Sequence, residues 1–325
     1  MQTIQDKTIN MQAPLISFII TTYNLPYNYL KECIDHILQL SLNHLEREII
    51  LIDDGSDICP LDELADVRDK IIYVRLKNQG VSVARNYGLT IAQGTYIQFI
   101  DGDDYVIQTP YEHCLDIVRY ENPDIVTFLH TKHCKGIKND YQMPSPIDGT
   151  EYLRNNNLHG SVWSYLFKRS IVGNLRFTPG IIYSEDEEFT PQLFLRADKI
   201  YKTQGTAYYY RPNEQSVTSQ KSPKDISLRL SNVESVLFHL QSLLDTIPEA
   251  EKKALSRRIA QLTMDYLYNV IKLTHSLHHL EIAIERMRKK NLYPLPDKHY
   301  TRKYDIFRKM IHSSIGRRIL LATIK

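Results

Sequence analysis

Short apolar runs, each followed directly by polar residues, constrain the fold of this chain more than any other feature. Four such runs open it: LISFII at 15–20, EIILI at 48–52, IIYVRL at 71–76 and TYIQFI at 95–100. Their length and composition are typical of buried strands, and helical spacing of apolar residues lies between them at 29–42 and 81–92. Strands that alternate with helices predict an α/β fold with a mostly parallel sheet flanked by helices.

Polar loops follow three of these predicted strands: TTYN at 21–24, DDGSD at 53–57 and DGDD at 101–104. Ligands of parallel sheets bind outside the carboxyl ends of the strands. We therefore expect the three loops to meet at one edge of the sheet and to form a binding cleft there.

The DGDD loop places Asp101, Asp103 and Asp104 close together. Adjacent carboxylates repel, and a hard divalent cation relieves that repulsion. Mg²⁺ and Mn²⁺ use one or two protein carboxylates together with phosphate oxygens, so the loop predicts a site for a metal–diphosphate complex. The alternative is an acidic turn, since Asp and Gly are common turn residues. Asp53 and Asp54 allow the same two interpretations, and a second acidic strand end favours the cleft.

The segments SFIITTYN, EIILIDDGS, NQGVSVARNYGL and GTYIQFIDGDDY resemble, in this order, the family-2 glycosyltransferases of GT-A fold. The resemblance covers residues 15 to about 110 and continues more weakly through SVWSYLFKRS and YSEDEEF to YYYRPNEQSVT, near residue 218. It implies a Rossmann-like sheet and the transfer of a sugar, with inversion, from a nucleotide diphosphate sugar to an acceptor hydroxyl. A UDP-sugar is the expected donor, and surface polysaccharide or glycan synthesis the expected setting.

The resemblance also assigns the nucleotide side of the site. Thr21 and Tyr23 match the first-strand loop that lies along the nucleotide. Asp53 matches the aspartate that reads the base, usually uracil, and Asp54 stands beside it in a structural role or in the same contact.

A divalent cation, Mn²⁺ or Mg²⁺, is the cofactor that the resemblance implies. Asp101 and Asp103 match the DxD pair, with Asp101 facing the ribose or a metal-bound water and Asp103 ligating the metal. Arg85 and Asn86 match the ARN signature. Arg85 either contacts the donor or belongs to a helix that packs and orients the DxD strand.

An inverting transfer needs a base that takes the proton of the acceptor hydroxyl. Asp186 resembles the family's base in the ED motif, and Glu185 is the second candidate. Glu187 and Glu188 follow, and a run of four acids is more often a solvated face or a helix N-terminus. The run TPQLFLRA after Phe189 indicates that ED begins a helix.

Two further residues have paired interpretations. Trp163, the only tryptophan, stacks on an acceptor sugar or packs in the core. Arg211 meets the donor diphosphate or is an ordinary surface arginine.

The pattern of apolar residues in the sequence changes after residue 220. Apolar residues at steps of three and four predict two amphipathic helices that pack as a hairpin joined near Pro248. We therefore divide the chain into an N-terminal tail (1–14), a glycosyltransferase domain (15–220) and a C-terminal helical region (221–325). Residues 301–325 carry seven basic residues against one acid, interleaved with apolar ones. This pattern predicts an amphipathic helix that contacts an anionic membrane or packs on its own protein.

Composition bounds the remaining possibilities. The net charge of +2 gives no general reason to expect nucleic-acid binding. The segment MQTIQDKTINMQAP is too polar for a signal peptide, no apolar run reaches the ~18 residues of a spanning helix, and four well-separated cysteines suggest free thiols. We expect a cytoplasmic protein that contacts, at most, the inner face of the membrane, with a glycan or lipid-linked acceptor.

Two other functions fit parts of the pattern. A metal-dependent nucleotidyltransferase would share the sheet and the carboxylates, but TTYN lacks the Gly-rich basic loop that binds its phosphates. A non-catalytic sugar-nucleotide-binding protein is less favoured because all candidate acids are present.

Overall fold

The computed structural model describes residues 13–133, 135–213 and 222–324. Most of the predicted N-terminal tail, Cys134 and the predicted boundary at residue 220 lie outside the described residues. Cys33, Cys59 and Cys114 are free thiols, as expected.

The described part of the chain contains one eight-stranded sheet. Its strands are β1 (Ile16–Thr22), β2 (Arg47–Asp53), β3 (Ile72–Arg75), β4 (Tyr96–Asp101), β5 (Tyr105–Val106), β6 (Ile125–Thr131), β7 (Tyr165–Lys168) and β8 (Ile200–Tyr209). They lie in the order β3-β2-β1-β4-β7-β6-β8-β5. The first four strands are mutually parallel, and β7 is antiparallel to both of its neighbours. The predicted α/β fold is confirmed.

Helices cover both faces of the sheet. They are α1 (Tyr27–Leu38), α2 (Val81–Ile91), α3 (Gln108–Glu121), α4 (Gly149–Asn155), α5 (Arg169–Val172) and α6 (Glu185–Phe194). Alternate residues of β1 divide between the faces, since Phe18 packs with α1 and Ile19 with α2. A Cβ at Gly88 would lie 2.4 Å from Cγ2 of Ile19, so glycine allows α2 to approach the strand this closely.

Residues 161–210 showed no regular pattern in the sequence, yet they form β7, α6 and β8. The interior of β8 reads KTQGT, and its mixture of polar and apolar residues gives no apolar run to detect. Helix α3 begins at Gln108 rather than directly after the DGDD loop, because Tyr105 and Val106 pair with β8.

The C-terminal region is helical: α7 (Pro223–Leu243), α8 (Glu249–Thr274), α9 (Leu277–Lys289), α10 (Arg302–Ile311) and α11 (Ser314–Thr323). The predicted hairpin is confirmed as α7 and α8. The prediction of one amphipathic helix over 301–325 is wrong. The segment forms two helices, since α10 ends at Ile311 and Ser313 caps the N-terminus of α11. None of the described helices is long and apolar enough to cross a bilayer.

Candidate active site

Strand register brings the three polar loops together. In the parallel ladders Thr22 pairs with Asp53, and Thr21 pairs with Asp101. The backbone continues these links beyond the strands, since Asp54 N donates to Thr22 O (2.9 Å) and Gly102 N donates to Thr21 O (3.0 Å). The expected convergence of TTYN, DDGSD and DGDD at one sheet edge is confirmed.

The DDGSD loop is held by its own aspartates. Asp53 is fully buried; its Oδ1 accepts hydrogen bonds from N and Oγ of Ser56, and its Oδ2 accepts one from Tyr73 OH at 2.8 Å. Asp54 accepts from the backbone N of Gln79 and Gly80. These contacts are those of the turn interpretation, and a role of Asp53 in base recognition stays a prediction.

The first loop presents an aromatic surface. Asn24 ties it to the second loop, because its backbone N donates to Ser56 Oγ and its side chain exchanges hydrogen bonds with Asp57. The Tyr23 side chain is exposed, and Thr21 is half-buried beside Asp101. The loop that follows β1 therefore carries an exposed aromatic ring two residues beyond the pairing of Thr21 with Asp101.

The three acids of DGDD differ in environment. Asp104 is buried and accepts from Tyr208 OH (2.9 Å) and Arg211 N (2.7 Å); burial, with its neighbours Asp101 and Asp103, raises its pKa to about 9. Asp103 accepts from Asn213 Nδ2 at 2.9 Å, and burial raises its pKa. Asp104 is thus part of the scaffold, whereas Asp101 and Asp103 are left at the cleft.

The donor set of Asp101 and Asp103 fits a hard divalent cation. Both supply carboxylate oxygens, and the Asp101 charge adds to burial in raising the pKa of Asp103, which a cation would reverse. Among the described residues, no three acids, histidines or cysteines cluster as a complete metal site. Two carboxylates suit a metal that takes its remaining ligands from phosphate and water.

Arg85 joins two of the predicted motifs. Its Nη2 lies 3.0 Å from Asp101 Oδ1, and its Nη1 lies 2.9 Å from Glu185 Oε1 and 2.6 Å from Asp186 Oδ1. The side chain is almost fully buried, which alone would lower its pKa, but the three carboxylates raise it. These contacts favour the orienting role proposed for the ARN helix.

Asn86, the next residue, holds the segment that leads to α6. Its Nδ2 donates to Phe177 O at 2.8 Å, and its Oδ1 accepts from Phe177 N at 2.9 Å. The ARN signature therefore fixes both the charges and the backbone on that side of the cleft.

Helix α6 begins at Glu185, so the prediction that ED begins a helix is confirmed. Asp186 Oδ2 also accepts from Val162 N at 3.2 Å. Burial raises the pKa of Asp186 well above its ordinary range, against the lowering effect of Arg85, and it raises that of Glu185 as well. The four acids do not form a solvated face, because Glu185 and Glu188 are buried.

Trp163 and Arg211 are both turned toward protein. The Trp163 ring is 6% exposed and stacks on Tyr208 at 4.5 Å between centroids, with His130 edge-on at 4.9 Å, which favours core packing. Arg211 donates from Nε to Asp103 O (2.7 Å) and from Nη2 to Glu32 Oε2 (2.5 Å). It is not a free surface residue, and it borders the DxD pair.

Comparison with known proteins decides the family. The model described as Glycosyl transferase family 2 matches residues 17–175. A glycosyltransferase of Haemophilus influenzae is 31% identical over 218 residues, which are 65% of this chain and 84% of the relative. The chain belongs to glycosyl transferase family 2.

Other relatives of this family-2 glycosyltransferase are matched over a smaller part of their length. Bacillus subtilis EpsJ is 32% identical over 225 residues, 63% of each chain. GgaB of B. subtilis, a minor teichoic acid biosynthesis protein, is 25% identical over 73% of this chain but only 27% of its own length. The match therefore spans less than two thirds of either relative.

Solved structures show that this family-2 glycosyltransferase has the GT-A fold. The crystal structure of S. aureus TarS 1–349 in complex with UDP-GlcNAc matches with a TM-score of 0.68 at 17% identity, over 94% of this chain and 88% of TarS 1–349. The mannosyltransferase PcManGT from Pyrobaculum calidifontis, in complex with GDP-Man and Mn²⁺, matches with a TM-score of 0.57 at 13% identity, over 97% and 88%.

Two residues that hold the acidic loop of this family-2 glycosyltransferase were not identified from the sequence. Tyr208 bonds Asp104, and Asn213 bonds Asp103. Both belong to the run YYYRPN, in which nothing distinguishes one tyrosine from the next. Only the pairing of β8 with β5 shows which ring reaches the loop.

Proposed function

We propose that this glycosyltransferase transfers a hexose from a nucleotide diphosphate sugar, with a UDP-sugar as first candidate, to an acceptor hydroxyl with inversion. The observation that carries this proposal is the guanidinium of Arg85, which binds Asp101 of the DxD pair and Asp186 of the ED motif together. A donor-side acid and a candidate base thus flank one cleft.

On the donor side, Asp101 and Asp103 would hold Mn²⁺ or Mg²⁺. The bound metal would supply Lewis-acid stabilisation of the charge on the departing diphosphate. Tyr23 and Thr21 would lie along the nucleoside, and Arg211 would border the diphosphate. The TarS complex with UDP-GlcNAc and the PcManGT complex with GDP-Man and Mn²⁺ support a nucleotide sugar and a metal for this fold.

On the acceptor side, Asp186 would take the proton of the attacking hydroxyl. The acceptor oxygen forms a bond to the anomeric carbon, the bond from that carbon to the diphosphate breaks, and the nucleoside diphosphate leaves from the opposite face. This single displacement inverts the anomeric configuration. Burial raises the pKa of Asp186, which suits a group that must accept a proton, and the Arg85 guanidinium opposes this shift by favouring the ionised carboxylate that a base requires.

The acceptor would be a growing surface glycan or a lipid-linked saccharide, reached at the cytoplasmic face of the membrane. The relative GgaB, named for minor teichoic acid biosynthesis, supports this setting. Helix α10 buries Tyr304, Phe307 and Ile311 against the protein, and α11 buries Leu320. The same two helices expose isoleucines and basic residues that suit an anionic lipid surface: Arg302, Ile306, Lys309, Ile315, Arg318 and Ile319.

A donor screen tests the proposal. The full chain is incubated with Mn²⁺ and UDP-Glc, UDP-Gal, UDP-GlcNAc or GDP-Man, with and without saccharide acceptors, and nucleoside diphosphate release is measured. NMR of the product gives the anomeric configuration. Release of UDP with an inverted product is expected. Release of pyrophosphate would indicate a nucleotidyltransferase, and tight binding of every donor without turnover would indicate a binding protein.

A further inference from the structure

The four acids that begin α6 point in four directions. Successive residues of an α-helix are rotated by about 100°, so Glu185, Asp186, Glu187 and Glu188 cover most of the circumference of the helix. They cannot all face one partner or one solvated side. The first two meet Arg85, and the other two point away from the sheet edge.

Glu187 meets the C-terminal region. Its Oε2 pairs with Nη2 of Arg258 on α8, whose side chain is 9% exposed. Space for this carboxylate depends on Gly160, because a Cβ there would lie 2.1 Å from the carboxyl carbon of Glu187. Thr190 Oγ1 donates to Gly160 O at 3.0 Å, so α6 and the Gly160 segment are joined beside the pair.

Glu188 meets the preceding helix of that region. Its side chain is 4% exposed, and its Oε1 pairs with Nδ1 of His239 on α7. Asn232 of α7 adds backbone contacts, since its Oδ1 accepts from the N of Ile182 (3.0 Å) and Tyr183 (3.2 Å), just before α6. The helix and the segment leading to it are therefore tied to α7 and α8 as well as to Arg85.

We propose that Arg258 and His239 are positioning residues for the transfer reaction: through Glu187 and Glu188 they set the rotation of α6, and thereby the position of Asp186. This proposal rests on the proposed role of Asp186 as the base. It makes the C-terminal helices a working part of the active site.

Physical chemistry separates this role from simple stabilisation. A buried ion pair contributes little net stability compared with apolar residues of the same size, because desolvation offsets the attraction. Apolar contact is non-directional, whereas a charged hydrogen bond fixes the direction of its partner. The hydrogen-bonded partners Arg258 and His239 therefore control the rotation of a helix whose first turn carries the base.

The test separates geometry from stability. The double variant Glu187→Gln with Arg258→Gln removes both charges, and such joint replacement is often neutral for folding. We expect kcat to fall ~100-fold, the scale of an ångström-size misplacement, while the donor KM, the affinity for UDP and the urea midpoint stay close to wild type. The single variant Arg258→Lys should have a kcat between those of the wild type and the double variant, because lysine keeps a positive charge on α8.

Arg257→Gln is the matched control. Arg257 lies next to Arg258 and also joins the two regions, but its bonds go to Leu153 O, Asn156 O and Asn157 rather than to α6. Its kcat should remain unchanged. Wild-type kcat in the folded double variant, or an equal loss in Arg257→Gln, would overturn the positioning role.

Asp186→Asn, measured in parallel, distinguishes the two proposals. If Asp186→Asn is inactive and the Glu187/Arg258 double variant is fully active, positioning alone fails. If Asp186→Asn retains turnover, the base assignment and the positioning role built on it both fail.

Discussion

Asp101 and Asp186 bind different nitrogens of one buried guanidinium, that of Arg85. The acid predicted to face the donor and the acid predicted to activate the acceptor thus share a counter-ion. A change in either carboxylate alters the charge that the other one experiences. Donor binding and acceptor activation should accordingly be coupled through Arg85.

Arg85→Met should remove both stability and activity. Three carboxylates would be left without their buried cation, and breaking such a pair costs about 3–5 kcal/mol. Urea denaturation should show this loss, and turnover should fall to background. Arg85→Lys is the informative partner, because one ammonium lacks the planar fork that reaches three acids, so it should regain stability without regaining full turnover.

Asp103→Asn should abolish transfer and leave the fold intact. The change removes a proposed metal ligand but no core volume, and excess chelator should reproduce it in the unchanged protein. Calorimetry in Mn²⁺ should also show weaker UDP binding. Full turnover of the wild type in excess chelator would contradict the metal-dependent mechanism.

Asp186→Asn should lower kcat by roughly 100- to 10,000-fold, the usual scale for loss of a general base. UDP affinity should change far less than kcat, because Asp186 is placed on the acceptor side and reaches the donor side only indirectly, through Arg85. Glu185→Gln is the neighbouring control, with the same arginine partner. If the Glu185 variant is the inactive one, the base is Glu185.

Stability should depend on pH through His239. In the folded protein, the hydrogen bond that His239 Nδ1 donates to Glu188 Oε1 raises the pKa of His239 above its ordinary value of 6.5. The pair stabilises the fold fully below the unfolded pKa, and this contribution is lost as the pH rises through the raised folded pKa. We expect urea titrations from about pH 6 to pH 9 to show this loss. The difference in unfolding free energy between the wild type and His239→Gln should become smaller as the pH rises. A constant gap would exclude the charged pair.

Membrane contact can be tested with vesicles that contain anionic lipid. Each basic residue near such a surface contributes about 1 kcal/mol, so Lys309→Gln combined with Arg318→Gln should weaken co-sedimentation ~30-fold. Lys253→Gln, an exposed change on α8, should have no effect. Equal co-sedimentation of all three proteins with the anionic vesicles would rule out an electrostatic contact through α10 and α11.

The strands that build the cleft could be predicted because they are apolar on both faces. Residues 16–20 and 49–52 are covered by helices on either side, so their burial is visible as two apolar runs, interrupted only by Ser17. The loops after them then converge by geometry alone. The family resemblance added the identity of the motifs and the expected chemistry.

The partners of the acids could not be predicted in the same way. Arg258 and His239 lie on helices whose sequence pattern reports only their apolar stripes, and ion pairs across the fold have no fixed spacing. Nor could the sequence show that the Glu185–Glu188 run is enclosed, because a run of acids is usually exposed. Enclosure depends on three partners of the acids, Arg85 on α2, His239 on α7 and Arg258 on α8.

The side-chain amide of Asn86 forms the same pair of hydrogen bonds with Phe177 that the backbone of a neighbouring β-strand would form. It satisfies the N–H and the C=O of that residue together, so Phe177 can lie beside α2 with both of its backbone polar groups paired although it belongs to no strand. Only a side chain with one donor and one acceptor at this reach can do so. With aspartate at this position, a carboxylate oxygen would face the Phe177 carbonyl oxygen, and neither atom could donate a hydrogen bond. Glutamine is longer by one methylene, so its amide would not fit the same distance. The asparagine of the ARN signature is thus required for its hydrogen bonds to a neighbouring backbone and not for any charge.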